Sequence, residues 1–171
     1  MFMKAIGVAA VLTLAASAAR AQAPNDAQIA HIAYTAGTID VAAGKQALAK
    51  SQTKAVRDFA QEMVRDHAAV NDQALALVKK LGVTPQDNPT SQALSKDAAA
   101  KLASNARLSG AAFDKAYLTN EVAYHKTVNA ALSKTLIPNA KNAELKSLLQ
   151  TGLKLFTEHQ THAEHLAAGL K

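Results

Sequence analysis

Apolar and polar residues alternate along this chain with the period of an α-helix. At about 100° per residue, side chains three and four positions apart fall on one side of a helix. Residues 54–81 show the pattern most clearly, with an apolar face formed by Val56, Phe59, Ala60, Met63, Val70, Ala74, Leu77, Val78 and Leu81. The pattern predicts a long amphipathic helix, and similar patterns recur before and after it.

Capping and helix-breaking residues divide the chain into four long helices and one short helix. Pro24-Asn25-Asp26 is a typical helix start, and Ser51-Gln52-Thr53 separates the first two long helices. Residues 82–90 contain two prolines and a glycine, which indicates a loop. The long helices are predicted at residues 24–50, 54–81, 111–137 and 142–170, and the short helix at residues 91–106.

The connection between the second and third long helices predicts how the four pack. Residues 82–109 hold a short helix plus extended chain, which at about 1.5 Å per helical residue is enough to recross a bundle. With this crossover, the polar residues on the buried faces of all four long helices lie at one level. Simple up-down order spreads them over about twice that height. We therefore predict an all-α, ferritin-like four-helix bundle with a long crossover that contains the short extra helix.

Ionisable residues lie in the middle of faces that should be buried. They are Asp40 on the first long helix, His67 on the second, Glu121 and His125 on the third, and His159 on the fourth. Imidazole and carboxylate groups suit divalent transition metal ions such as zinc, copper, nickel or iron. One interpretation is a metal site of three histidines, with Glu121 and Asp40 as ligands or as groups that orient the histidines. Asp114 should lie nearer the end of the bundle and pair with Tyr117 or a lysine.

A buried hydrogen-bonded network is the second interpretation of the same residues. In it, Asp40 and Glu121 satisfy the histidines together with Asn71 and the hydroxyl group of Tyr117 or Tyr124. The Glu-x-x-His spacing that di-iron sites require on each of two helices is absent from the sequence, which argues against ferroxidase or oxygenase chemistry. The metal site and the network both remain open.

The first residues of the chain resemble an export signal. Residues 1–21 carry Lys4, an apolar run, and Ala19-Arg20-Ala21 as a small-residue cleavage site. The run is shorter than the ~20 residues of a membrane-spanning helix. We therefore expect a secretory signal peptide, followed by one domain over residues 22–171 that is soluble in the periplasm, with no transmembrane segment. The absence of cysteine means that this domain folds without disulfides.

Composition and charge narrow the possible partners. The apolar share of 49% with only 4% aromatic residues suits closely packed helices. The formal charge of +6 comes from basic residues that are scattered singly or in pairs, without interleaved aromatic side chains. We therefore expect no nucleic-acid partner. A protein of the cell envelope is the class of partner that the predicted location suggests.

Three stretches of the sequence resemble the bacterial "domain of unknown function 4142" family. They are AKSQTKAVRDFAQEMVRDHAAVND, AAFDKAYLTNEVAYH and LFTEHQTHAEHL, and the likeness extends over residues 25–170. The resemblance implies an exported ferritin-like helical bundle of the periplasm or outer membrane, without an established activity. The family usually has Glu where this chain has Asp40, which puts direct metal ligation from the first helix in doubt.

Together these observations favour a non-enzymatic exported bundle. Its expected role is to bind a divalent transition metal ion through the buried histidine and carboxylate residues, or to contribute to envelope stress tolerance. Two alternatives remain open at this point. One is a ferritin-like metalloenzyme, and the other is a structural or partner-binding bundle whose polar core only stabilises the fold.

Overall fold

A computed structural model describes residues 23–170, and within them five helices of 18 to 27 residues and no strands are present. The predicted signal peptide lies outside the described residues. The helices are α1 (Asp26–Lys50), α2 (Lys54–Lys80), α3 (Pro89–Ala106), α4 (Gly110–Ala131) and α5 (Ala143–Gly169). A π-helical turn over Leu132–Leu136 and a helical turn over Ile137–Asn139 extend α4. The prediction of an all-α bundle with a short extra helix is confirmed.

Asparagine side chains cap three of the five helices. Asn25, Asn88 and Asn142 accept hydrogen bonds from backbone N–H groups in the first turns of α1, α3 and α5, which satisfies donors that a helix start leaves unpaired. Thr53 occupies the corresponding position of α2, but its side chain makes no capping bond. Its hydroxyl group instead donates to the carboxylate of Asp114 at 2.5 Å.

Contacts between helix ends establish the predicted crossover. The Thr53–Asp114 hydrogen bond joins the start of α2 to the start of α4, so these two helices begin at the same end of the bundle. At the opposite end, the carboxylate of Asp26 accepts hydrogen bonds from the backbone N–H groups of Lys141 and Asn142, both at 2.8 Å. This pairs the start of α1 with the start of α5. α3 therefore recrosses the bundle beside α1, where the side chain of Lys50 donates to the carbonyl oxygen of Ala106 at 2.9 Å.

Two apolar clusters occupy the two halves of the bundle. The first contains Phe59, Met63, Phe113, Tyr117 and Leu118, in the half where α2 and α4 begin. The second contains Ile29, Ile32, Leu132, Leu136, Leu145, Leu149 and Phe156, in the half where α1 and α5 begin. Residues 40, 67, 121, 125 and 159 fall between the two clusters along their helices, so they form a polar layer across the middle of the core.

Small residues let α1 approach α2 closely. Gly44 lies at one of the close points of this contact. A Cβ atom at this position would lie 3.0 Å from the carbonyl oxygen of Ala60 and 2.8 Å from a methyl group of Val64. The close approach of the two helices sets the register that brings Asp40 of α1 level with His67 of α2.

None of the helices described for residues 23–170 is both long and apolar enough to cross a membrane.

Candidate metal centre

The structure brings together all five ionisable residues that the sequence placed on buried faces. Each is almost fully enclosed, with exposed fractions between 0% and 2%: Asp40, His67, Glu121, His125 and His159. α1, α2 and α5 each supply one of them, and α4 supplies two that lie one helical turn apart. The crossover explains why these residues are close together, because it gives the four long helices the directions that place all five residues at the same height along the bundle axis.

Three imidazole rings form the centre of the layer. One ring nitrogen from each of His67, His125 and His159 lies within 4.8 Å of the other two. The ring centroids are 5.3 to 5.7 Å apart, which leaves the rings neither stacked face to face nor hydrogen-bonded to one another. A single cation can be reached by three nitrogens in such an arrangement.

Two carboxyl groups adjoin the three rings. Oxygen atoms of Asp40 and Glu121 and a ring nitrogen of His125 also lie within 4.8 Å of one another. Asp40 Oδ2 is 3.5 Å from His67 Nδ1, and Glu121 Oε2 is 3.7 Å from His125 Nδ1. The side chain of Asp40 therefore lies beside an imidazole ring, although it makes no hydrogen bond to that ring.

Two of the histidines have one ring nitrogen committed to a hydrogen bond. His125 Nδ1 lies 3.0 Å from the backbone carbonyl oxygen of Glu121. Because a carbonyl oxygen can only accept a hydrogen bond, this ring nitrogen carries the proton. His159 Nε2 lies 3.1 Å from Asp66 Oδ2. Hydrogen bonds from Arg65 lower the pKa of Asp66, so Asp66 is an ionised acceptor and His159 donates to it. The remaining nitrogen of each ring is therefore a free lone-pair donor.

Many polar atoms of this layer are buried without a partner. Among the described residues, no hydrogen bond reaches Asp40 Oδ1, His67 Nδ1, His67 Nε2, Glu121 Oε1, Glu121 Oε2, His125 Nε2 or His159 Nδ1. Buried polar atoms in folded proteins are almost always paired. Asn71 and Tyr124, two of the proposed network members, bond elsewhere, to Thr38 and to the carbonyl oxygen of Ala36. The hydroxyl group of Tyr117, a third, has no partner in the described chain.

Burial shifts the pKa of every group in the layer toward its neutral form. It lowers the pKa of His125 to about 4 and that of His67 well below its ordinary value, where the neighbouring histidines add to the effect. It raises the pKa of Glu121 to about 8. Burial and the nearby Glu121 together raise the pKa of Asp40 well above its ordinary value. The imidazoles are consequently neutral near pH 7, which is the form that binds metals.

A second, more exposed group adjoins the centre and was missed in the sequence. Oxygen atoms of Glu62 and Asp66 lie within 4.8 Å of a ring nitrogen of His159, and Glu62 also pairs with His162 Nδ1 at 2.8 Å. The partners of Glu62 belong to α5 and not to its own helix. No spacing within α2 reveals contacts to residues more than 90 positions away.

Asp114 has a different partner from the one predicted. It is buried, and its carboxylate accepts from Thr53, not from Tyr117 or a lysine. The reason is tertiary, because the crossover places the start of α2 against the start of α4. Asp114 therefore stabilises the junction of two helix ends and lies outside the polar layer.

Replacing Glu121 with Gln should change how stability depends on pH. Between about pH 4.5 and 8, the unfolded chain has an ionised Glu121 and the folded chain keeps it protonated, so the native protein loses stability as pH rises. Glu121→Gln removes this loss. In urea titrations with chelator present, the free energy of unfolding of the variant, relative to that of the native protein, should therefore increase by a few kcal/mol between pH 5 and pH 8. Exposed Glu158→Gln is the matched control, and an equal response of both variants contradicts the prediction.

Comparison with known proteins gives one match. No curated protein and no solved structure matches the chain. A family model described as "Domain of unknown function (DUF4142)" matches residues 11–166, which is most of the sequence. The resemblance expected from the three stretches of sequence is thereby confirmed, and the chain belongs to the DUF4142 family.

Proposed function

We propose that this chain is an exported, non-enzymatic bundle that binds one divalent transition metal ion through His67, His125 and His159. The observation that carries the proposal is the pairing of their ring nitrogens. In two rings one nitrogen is hydrogen-bonded to an oxygen acceptor, which is the Glu121 carbonyl for His125 and Asp66 Oδ2 for His159. In the third ring, His67 Nδ1 lies 3.5 Å from Asp40 Oδ2 without a hydrogen bond. The other nitrogen of each ring is buried and has no partner in the described chain.

This pairing is the one that histidine ligands adopt in metalloproteins. A metal-binding imidazole donates its second N–H to a carboxylate or a backbone carbonyl, which selects the tautomer and orients the ring. The proposed ligand atoms are therefore His67 Nε2, His125 Nε2 and His159 Nδ1. In a purely structural network these atoms would have protein partners, and they have none among residues 23–170.

The carboxyl groups supply the charge that a buried cation needs. Three neutral imidazoles and two ionised carboxylates, Asp40 and Glu121, balance a divalent ion, so the loaded layer is neutral overall. The ion would favour the ionised carboxylates that burial otherwise disfavours. Binding should therefore release protons, and affinity should fall as the pH is lowered.

The enclosure of the site favours a binding role over an enzymatic one. A catalytic metal keeps a coordination position open to a substrate. Here all five proposed residues have exposed fractions of 2% or less. Imidazole and carboxylate ligands without thiolate fit zinc, copper, nickel or iron.

Removing one histidine ligand should sharply weaken metal binding. We expect metal-free protein to bind one equivalent of zinc, copper, nickel or iron(II), with an increase in melting temperature. His67→Ala, His125→Ala and His159→Ala should each raise Kd more than about a hundredfold, because a three-ligand site loses a donor. Isothermal titration calorimetry gives both stoichiometry and Kd. Exposed His165→Ala is the control, and native protein that binds no metal and shows no shift in melting temperature would falsify the proposal.

Asp66 should act through His159 without binding the metal. Replacing Asp66 with Ala frees the Nε2–H of His159, so either ring tautomer becomes available and the free nitrogen is no longer selected. We expect Kd for the metal to rise about ten- to a hundredfold with the stoichiometry of one ion unchanged. Exposed Asp72→Ala, on the same helix, should leave Kd unaltered. An Asp66→Ala variant with native affinity would show that this carboxylate does not orient the ring.

Export is supported by the pattern of residues 1–21. We expect the full chain, expressed in a Gram-negative host, to be recovered from the periplasm with Gln22 as its first residue. Ala19→Asp with Ala21→Asp should block cleavage, since the enzyme requires small residues at these two positions. Recovery of unprocessed native chain from the cytoplasm contradicts this part of the proposal. Mass spectrometry of the purified protein distinguishes the two forms.

A further inference from the structure

A large cavity lies in the half of the bundle where α1 and α5 begin. Its volume is about 620 Å³, and residues of all five helices line it. Ligand sites for small molecules have volumes of roughly 300–1,000 Å³. The cavity therefore has the size of a ligand site, and it is distinct from the polar layer.

The cavity lies within the second apolar cluster, where small side chains leave space unfilled. Ala33, Ala74, Ala131 and Gly152 line the cavity at positions on four different helices. Larger aliphatic side chains form the rest of the wall, among them Ile32, Val70, Leu94, Val128, Leu132 and Leu149. The cavity is partly open to solvent, since the exposed residues Thr90 and Thr127 contribute to its lining. An apolar occupant would cover aliphatic surface that otherwise lacks packing partners.

The residues that line the cavity indicate which class of ligand it can bind. No residue that lines the cavity carries a charged side chain, and the polar lining groups are amides and hydroxyls such as Asn71, Asn88, Thr90 and Thr127. An ionised ligand would lose its hydration without gaining an opposite charge. Aliphatic walls favour an aliphatic chain, and an amide or hydroxyl can bond an uncharged oxygen.

Phe156 separates this cavity from the candidate metal centre. Its ring lines the cavity and stacks on the imidazole of His67, with centroids 4.4 Å apart and an interplanar angle of 14°. An occupant would contact the phenyl ring, which lies between it and the three imidazoles. Occupation of the cavity is therefore testable on protein without metal.

We infer that the cavity binds an uncharged molecule with an aliphatic chain. The inference stands apart from the metal proposal, since none of the five proposed metal-centre residues lines the cavity. Its probe is N-phenyl-1-naphthylamine, an uncharged apolar dye whose fluorescence increases in apolar surroundings. We expect saturable binding of one dye per chain in the presence of a chelator. Displacement by 1-decanol should be at least about tenfold stronger than displacement by decanoate at pH 8, because the wall offers no cation.

Filling the cavity should abolish binding without unfolding the protein. Ala74→Leu with Ala131→Leu adds side-chain volume at two lining positions on α2 and α4. We expect Kd for the dye to rise at least about tenfold, with a melting temperature equal to or above that of the native protein, because the new groups fill empty space. Ala76→Leu with Ala111→Leu is the matched control, since these residues are exposed on the same helices and do not line the cavity.

Three results would overturn the inference. They are the absence of saturable dye binding, equal displacement by decanol and decanoate, and native affinity in the folded lining variant. If the double variant does not fold, as judged by circular dichroism, Ala33→Leu provides the same test from α1. Metal titration of the same proteins is independent, because a failure of metal binding leaves the dye result unchanged.

Discussion

The burial of five ionisable side chains without enough protein partners is the constraint on which this structure depends. Transferring a charged or polar group from water to a protein interior is costly unless a partner compensates. Asp40, His67, Glu121, His125 and His159 avoid part of this cost by adopting their neutral forms, as their shifted pKa values indicate. Neutralisation leaves several nitrogen and oxygen atoms unpaired, and the proposed cation would bind one nitrogen of each of the three imidazoles. These unpaired atoms are the basis of the proposed metal site.

The remainder of the fold holds the residues of this layer at one height and shields them from solvent. An apolar cluster packs on each side of it, anchored by Phe59 and Phe113 in one half and by Ile29 and Leu149 in the other. Because helices pack side by side, a shift of α1 by one turn would move Asp40 about 5.4 Å away from His67. The Thr53–Asp114 and Asp26–Asn142 contacts oppose such shifts, since they join helix ends at opposite ends of the bundle.

The two halves of the bundle differ in how completely they are filled. In the half where α2 and α4 begin, the ring of Tyr117 packs against those of Phe59 and Phe113, with centroid distances of 6.1 Å and 6.2 Å. In the other half, alanine and glycine leave the large cavity that reaches Phe156. Phe156 thus belongs to both features, because one face of its ring stacks on His67. The proposed metal site and the proposed apolar ligand site could share the bundle because this ring lies between them.

The sequence by itself determined the helices, their buried faces and the five residues of the layer. Helical periodicity, proline, glycine and capping residues act locally, so they can be read without knowing which helices touch. The length of residues 82–109 even predicted the crossover. The tertiary structure alone decided the partners: Asp66 for His159, Thr53 for Asp114, and the carbonyl of Ala36 for Tyr124. These contacts join residues 61 to 93 positions apart. The rotation of each helix about its axis decides which of several neighbouring side chains becomes the partner, and no local sequence pattern specifies that rotation closely enough.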